Sequence, residues 1–558
     1  MERGKAVSTN RRTFLGLVGM GAATVAGGPL LSGCSREPGS TGTATNADAA
    51  TAVVPDYAPV QLVQPDIKGI PPVVDGYVTY PKTTVAAITA KPGSSGKPIS
   101  ATTPWWGPPP PATGQNAYVD AVNTALGVPV EFSVQDGNTY SEKVNAMVGA
   151  RDVPELLVIP GWDIGRIARF SEGVHVLFED LTPYLAKEKG ANYPMLAGLP
   201  TAAWKDSVWG GKLMGVPFPT DNPFPFALFH RKDLAEAAGL ADPANLDELY
   251  AYGKKLTDAG KGVWAFGEIS AEVEQALGVP GSQQGWRKNA DGTLVHKYET
   301  PEYKLAVEYM IKVFKDGLMH PELAGSKGGD ANALLRAGKV VCWQGGLGVW
   351  RGMQRDETRN NPAFNLQPIK VFGAAAGQKP VRWQGTPGII WTFLKKDLGR
   401  PRVEELLRVL NWNAAPFGTK EYELREYGVE GTHFTRAADS TPVTNDLYTK
   451  EFANQFGFLG GRPAVIVGGA DVPHYAQDML TWCNDAIQYA EPDPWTGIKV
   501  ETPTRIATIQ QPTEDKLTDI KRGRRPITDL ESVVTEWRNT GGDEAREFYA
   551  KVLADNGR

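Results

Sequence analysis

The chain has 558 residues, 58 Lys and Arg against 63 Asp and Glu, and a formal net charge of -5. That length is enough for two or more core-bearing lobes, and the acidic balance argues against nucleic acid as a partner. With only three cysteines, a disulfide-stapled scaffold is excluded.

The first element is an address label. Asn10-Arg11-Arg12-Thr13-Phe14-Leu15 is a twin-arginine element, and a glycine-broken apolar stretch from Phe14 to Leu31 follows it. The stretch ends at Leu31-Ser32-Gly33-Cys34, where small residues let a peptidase reach the backbone and leave Cys34 to carry a lipid. The alternative is a retained transmembrane anchor, which needs about 20 strongly apolar residues. This run is shorter and rich in glycine. Residues 1–34 are therefore expected to be a twin-arginine (Tat) lipoprotein signal peptide, exporting a folded body to the outer face of the cell membrane. From Ser35 to about Val54 the chain is Ser, Thr, Ala and Gly with little apolar content, which predicts a flexible leash. Residues 35–79 are assigned to this tether and an N-terminal extension.

Pro81 to Thr89 is predicted as a first strand. A short helix over 116–126 precedes Val128-Pro129-Val130-Glu131-Phe132, and an amphipathic helix over 140–150 precedes the buried strand Pro154 to Ile159. Strand–helix alternation with short turns predicts a parallel, doubly wound sheet. Trp209 to Pro217 reads as a hairpin turn and strand. From Asp221 the pattern restarts with a strand at Phe226 to His230 and a helix closed by Gly239. Asn245-Leu246-Asp247-Glu248 is a capping box, and Thr300-Pro301-Glu302 opens a helix with proline at its first position. In that helix Tyr303, Val307, Met310 and Phe314 share one face, read as core. A helix over 331–337 leads into the strand Val340 to Trp343, where Cys342 is expected as a buried thiol. Arg402 to Asn413 is a long helix, and Ile527 to Leu553 a docked helix–loop–helix. Lys521-Arg522-Gly523-Arg524-Arg525 is the one dense basic run, read as a solvated turn.

Tryptophan is the unusual entry, at 15 residues. Several lie near the ends of predicted strands: Trp105-Trp106 after the strand Val85 to Thr89 and a spacer, Trp162 after Leu156 to Gly161, Trp343 and Trp350 around a Gly-rich turn, and Trp383 before Gln384-Gly385. A strand's C-terminal end faces a crevice in α/β sheets, and indole faces suit the C–H face of a sugar ring. For any single one, ordinary core packing stands as the alternative.

Chemistry of other kinds is thinly represented. The six histidines are too scattered for a zinc motif, and no phosphate loop or G-x-S-x-G elbow occurs. Gly346-Leu347-Gly348-Val349-Trp350-Arg351 lacks the third glycine of a dinucleotide fingerprint. Asn289-Ala290-Asp291-Gly292 has no Glu at the twelfth position of a calcium loop and reads as a hairpin turn. Neither a cofactor nor a metal is expected, and no enzymatic activity.

Gly211-Lys212-Leu213-Met214-Gly215-Val216-Pro217, His230-Arg231-Lys232-Asp233-Leu234, Thr300-Pro301-Glu302-Tyr303 and Phe314 to Glu322 resemble, in order, the extracellular solute-binding proteins, family 1, of ABC sugar importers. Tyr427 to Phe434 and Glu536-Trp537-Arg538 look like the larger lipoprotein subgroup. The resemblance implies an α/β, periplasmic-binding-protein-like fold with two doubly wound lobes joined by a hinge around a ligand cleft. By analogy the first lobe takes 80–221 and 369–425, and the second 222–368 and 426–558. It further implies a monomer that captures a sugar or oligosaccharide by hinge closure and delivers it to ABC permease subunits.

Carried over by position, the ligand contacts are Trp162 and Asp163, Asp221 and Asn222, and Trp350. Trp106, Trp286, Trp343 and Trp383 are added by loop position. Asp221 has a plainer alternative as a turn cap near the hinge. The rival functions are a secreted carbohydrate-active enzyme, which would need paired carboxylates, and an oligopeptide-binding protein, which would favour backbone pairing over indoles.

Overall fold

The strand–helix alternation read from the sequence builds two separate mixed sheets. The computed structural model describes residues 43–167, 170–282, 285–324 and 330–558. The leader, Cys34 and the stretch 35–42 lie outside them. In chain order the strands that matter here are β1 (Thr43–Thr45), β2 (Ile99–Trp105), β3 (Val130–Asp136), β4 (Leu156–Pro160) and β5 (Gly215–Pro219). They continue with β6 (Ala227–Arg231), β7 (Trp264–Phe266), β8 (Val340–Gly345), β9 (Leu366–Pro368), β10 (Gly388–Leu394) and β11 (Lys499–Glu501).

The first sheet runs β3-β2-β4-β10-β5. β2 is parallel to β3 and β4, whereas β10 runs antiparallel to both β4 and β5. The second runs β7-β8-β6-β9, with β7 parallel to β8 and β6 antiparallel to β8 and β9. The expected all-parallel sheets are thus mixed. In each, the reversed strand is one that arrives from the other lobe: β6 after β5, and β10 after β9.

Both faces of the central strands are covered, which is why β4 reads as an unbroken apolar run. Along β4, Leu156 and Val158 join a core with Val122, Leu406 and Leu410, while Leu157 and Ile159 join one with Val144, Trp209 and Phe393. β6 behaves alike, Phe229 on one face and Leu228 on the other. A further cluster packs Trp286 and Tyr303 against Leu517, Trp537 and Tyr549 of the C-terminal helices. Of the expected stripe on the helix Pro301–Lys315, Tyr303, Val307 and Met310 are buried as core and Phe314 is half-buried.

Three expectations need correction. Pro81 to Thr89 makes only an isolated bridge between Val85 and Thr419. Its backbone donors go instead to the Glu421 carboxylate, which accepts from Ala87 and Ile88. The first sheet strand is β2, whose Thr- and Pro-containing sequence hid it. The end of the stretch expected as a leash is structured instead. Asn46 caps a helix α1 (Ala47–Val53) through Ala49 N–H at 2.7 Å, and Ala50 and Val54 are buried in the first lobe.

The lobe boundaries differ as well. Residues 369–383 stay with the second sheet, through Ala374 N–H to Ala276 O (2.9 Å) and Arg382 to Glu272 (2.6 Å). Phe456 and Leu459, placed by analogy in the second lobe, pack in the first lobe's core. From β5 to residue 466 the chain crosses near 220–226, 384–388 and 460–466, and before β2 Val73 and Gly76 also lie on the second lobe.

Candidate functional site

Strand direction decides where loops collect. Trp105 at the end of β2 is in register with Asp136 at the end of β3. Pro160 at the end of β4 pairs with Ile390 near the start of β10, and Pro219 at the end of β5 with Gly388. The segments after 105, 136, 160 and 219 therefore share one edge with the crossing that enters β10. In the second sheet Gly345, ending β8, pairs with Ala227, starting β6. Short crossings at 220–226 and 384–388 hold these two edges against each other, the strand-end crevice in which α/β proteins bind ligands.

On the first lobe's edge two indoles stand open. Trp106 is 43% and Trp162 47% exposed, large values for tryptophan. Their ring centroids are 5.9 Å apart at 52°, and Phe458, beside the third crossing, lies 6.3 Å from Trp106. The Trp106 ring rests on Gly137, where any Cβ would run into the indole. Next to Trp162, in a single helical turn (Gly161–Ile164), Asp163 is 2% exposed and its Oδ2 has no hydrogen-bond partner. Burial raises its pKa, and Arg166 at 3.7 Å pulls the other way. A buried acceptor beside two open apolar faces can take a hydroxyl while the rings cover a sugar's C–H face.

The second lobe contributes half-buried indoles. Trp343 lies over Gly345 and against Gly267, and Trp383 over Gly281. Trp383 is fixed by donating its ring N–H to Val279 O and its backbone N–H to Gln275 Oε1, both at 2.9 Å, with Phe226 6.3 Å away.

The remaining sequence candidates do other work. Asp221 accepts from Arg462 at 2.6 and 3.1 Å and from Val465 N–H at 3.0 Å, tying the first crossing to the third. Asn222 caps the turn at Phe224 N–H. Asp221 thus ties segments near the hinge as an ion pair rather than as the turn cap offered as its plainer alternative, and Asn222 is the turn cap.

Trp350 and Trp286 are corrections: each is at most 2% exposed. Trp350 begins a helix α2 (Trp350–Thr358) rather than extending a loop. Its ring drops onto the sheet, donating to Leu366 O at 2.7 Å and meeting Phe229 at 5.7 Å. Trp286 sits in a hairpin (Trp286–Lys288 with Leu294–His296) and packs on Trp537 and Tyr549.

Phe458 and the glycine floors were missed. Gly457-Phe458-Leu459-Gly460-Gly461 is an aromatic flanked by glycines, a signal available in the sequence. The glycine under each indole is distant in sequence or obscured by the strand pattern. Among the described residues no group of three or more His, Cys, Asp or Glu is placed to hold a metal ion. No described helix is long and apolar enough to cross a membrane.

Residues 112–394 match the model of the family described as bacterial extracellular solute-binding protein. The polygalacturonan/rhamnogalacturonan-binding protein YtcQ of Bacillus subtilis (strain 168) is 22% identical over 427 residues, covering 74% of this chain and 83% of that protein. Among solved structures, the N-glycan transport solute binding protein NgtS of Streptococcus pneumoniae in complex with Man1GlcNAc is similar with a TM-score of 0.59 at 13% identity. That match covers 82% of this chain and 99% of that one. An HMO binding, ABC-transporter-associated solute binding protein of Bifidobacterium longum infantis gives 0.57 at 15%, with the same coverage.

Proposed function

Because the chain belongs to the bacterial extracellular solute-binding protein family, whose members bind and do not transform, we propose that it captures an oligosaccharide between its lobes and hands it to the permease of an ABC importer. The observation that carries this reading is the open pair Trp106 and Trp162 beside the buried Asp163, whose Oδ2 has no hydrogen-bond partner. Two tilted indoles present apolar planes along an extended ligand, as a chain of sugar rings requires. The glycan-binding relatives named above support the same class of ligand.

In this mechanism the sugar first lies on the Trp106–Trp162 shelf, with a hydroxyl donating to Asp163. Closure then brings Trp343 and Trp383 against its other side. A ligand favours the closed form only through contacts it gains there, so those second-lobe indoles set the closing energy. The Asp221–Arg462 pair keeps two crossings in register as the lobes move. Cys34 is the proposed lipid attachment after twin-arginine export. An anchor there would hold capture close to the permease and raise its effective concentration.

A thermal-shift screen of the leaderless protein against oligosaccharides and oligopeptides tests the assignment. An oligosaccharide at 100 times its Kd adds about 2.7 kcal/mol of stability and is recovered intact. Stabilisation by peptides alone, or release of shortened sugars, refutes it.

A further inference from the structure

Away from the strand-end crevice, the second lobe contains a cavity of about 430 Å3 between α2, β9 and the segment 471–478. It shares no residue with the Trp106–Trp162 shelf. We propose that this cavity is a second ligand site, built for a single neutral sugar ring.

The volume lies in the range of small-molecule pockets, and the walls are pinned so that they do not collapse inward. Gln354 of α2 donates to Phe364 O (2.8 Å) and accepts from Leu366 N–H (2.7 Å), locking the helix to the edge strand β9. Trp350 N–H adds a third tie, to Leu366 O. On the opposite wall, Arg351 holds Asp471 at 2.9 Å, and Tyr475 packs edge-on to Trp350 at 5.3 Å. Between them His474 adopts a left-handed conformation, φ 65° and ψ -2°. A non-glycine residue there is strained, and such strain persists only where the surroundings impose it.

The lining chemistry selects the ligand. Arg351 is spent on Asp471 and no other Lys or Arg stands at the cavity, so an anionic ring would meet no free ammonium or guanidinium. Asp471 is already neutralised by Arg351. Asp478 already accepts from the Gln367 amide and keeps further acceptor capacity as a carboxylate; burial raises its pKa, which weakens its hold on a cation. Asn365 and Gln367, joined by a 3.1 Å hydrogen bond, keep an amide donor and an amide acceptor free for ligand. Acceptors and donors side by side, with Tyr475 and Pro473 as apolar wall, match vicinal hydroxyls on a ring.

The test titrates leaderless protein with glucose, galactose, glucosamine and glucuronate by ligand-observed NMR, comparing the wild type with Trp106→Ala, Asp478→Asn, Gln367→Ala and Thr358→Trp. Thr358 lines the cavity from α2, so its enlargement fills the space and serves as a second route if the polar variants misfold. The expected result is a neutral hexose that binds the wild type and Trp106→Ala equally and loses about tenfold in affinity in the three cavity variants. Oligosaccharide binding in the crevice stays intact in those variants. No hexose binding, loss of it in Trp106→Ala, its retention in every cavity variant, or binding of only the charged sugars overturns the proposal. Failure of the crevice reading appears separately, as oligosaccharide binding insensitive to Trp106→Ala.

Discussion

Trp106 and Trp350 both follow a strand of the same kind of sheet, yet one is 43% and the other 1% exposed. The difference lies in what comes next along the chain. After β2 the backbone runs into a loop, leaving the ring at the edge. After β8 it winds into α2, and the first residue of a helix beneath a sheet points inward. Truncations should separate the two. Trp106→Ala or Trp162→Ala is expected to weaken the best oligosaccharide by about 1 kcal/mol or more, with unliganded stability changed by about 0.5 kcal/mol or less, measured by calorimetric titration and urea unfolding. Trp350→Ala should cost about 3–5 kcal/mol of stability, visible in the same unfolding curves before any ligand is added. Gly137→Ala is subtler: its Cβ meets the Trp106 indole. The expected outcome is weaker binding without loss of fold, because Trp106 is exposed enough to swing away. Sequence position identified strand-end indoles as a class, but which way each ring points was set by the geometry after the strand.

At the scale of elements, the repeated strand–helix pattern was legible because buried strands and amphipathic helices leave different periods. β2 was not, since Thr102, Thr103 and Pro104 break the apolar run. α1 was not, since an Ala-rich helix needs only Ala50 and Val54 to dock. β11 also escaped notice, and it pairs with β1 and lies against the first lobe. Lys499 of β11 packs over the rings of Trp209 and Trp391 at 4.2 and 4.9 Å and donates to Asp206 O at 2.6 Å. The Asp206 carboxylate accepts Gly388 N–H at 2.8 Å, at the start of β10. Burial pushes the Asp206 pKa up from 3.8 to about 6, against the opposing pull of Lys499 and the Gly388 N–H. A carboxyl that holds its proton more tightly folded than unfolded favours folding most below its unfolded value. That contribution is lost as pH rises through about 6. Asp206→Asn should remove this term. Urea midpoints of the variant should then fall less than those of the wild type between pH 4 and pH 7, roughly the window set by the two values.

For the whole molecule, two lobes and a hinge were legible from the restart of the pattern at Asp221 and from the ordered family resemblance. The crossing points were not, because a strand that changes lobes carries the same apolar signal as one that does not. Only the pairings show that 369–383 remains with the second sheet and that Phe456 and Leu459 return to the first. The proposed capture requires those lobes to close over a carbohydrate held by Trp106 and Trp162. Small-angle X-ray scattering of the leaderless protein, with and without the oligosaccharide giving the largest thermal shift, tests it most directly. A smaller radius of gyration on saturation, absent in the Trp106→Ala, Trp162→Ala double variant, is the predicted result. An unchanged radius with sugar demonstrably bound to the wild type would contradict it.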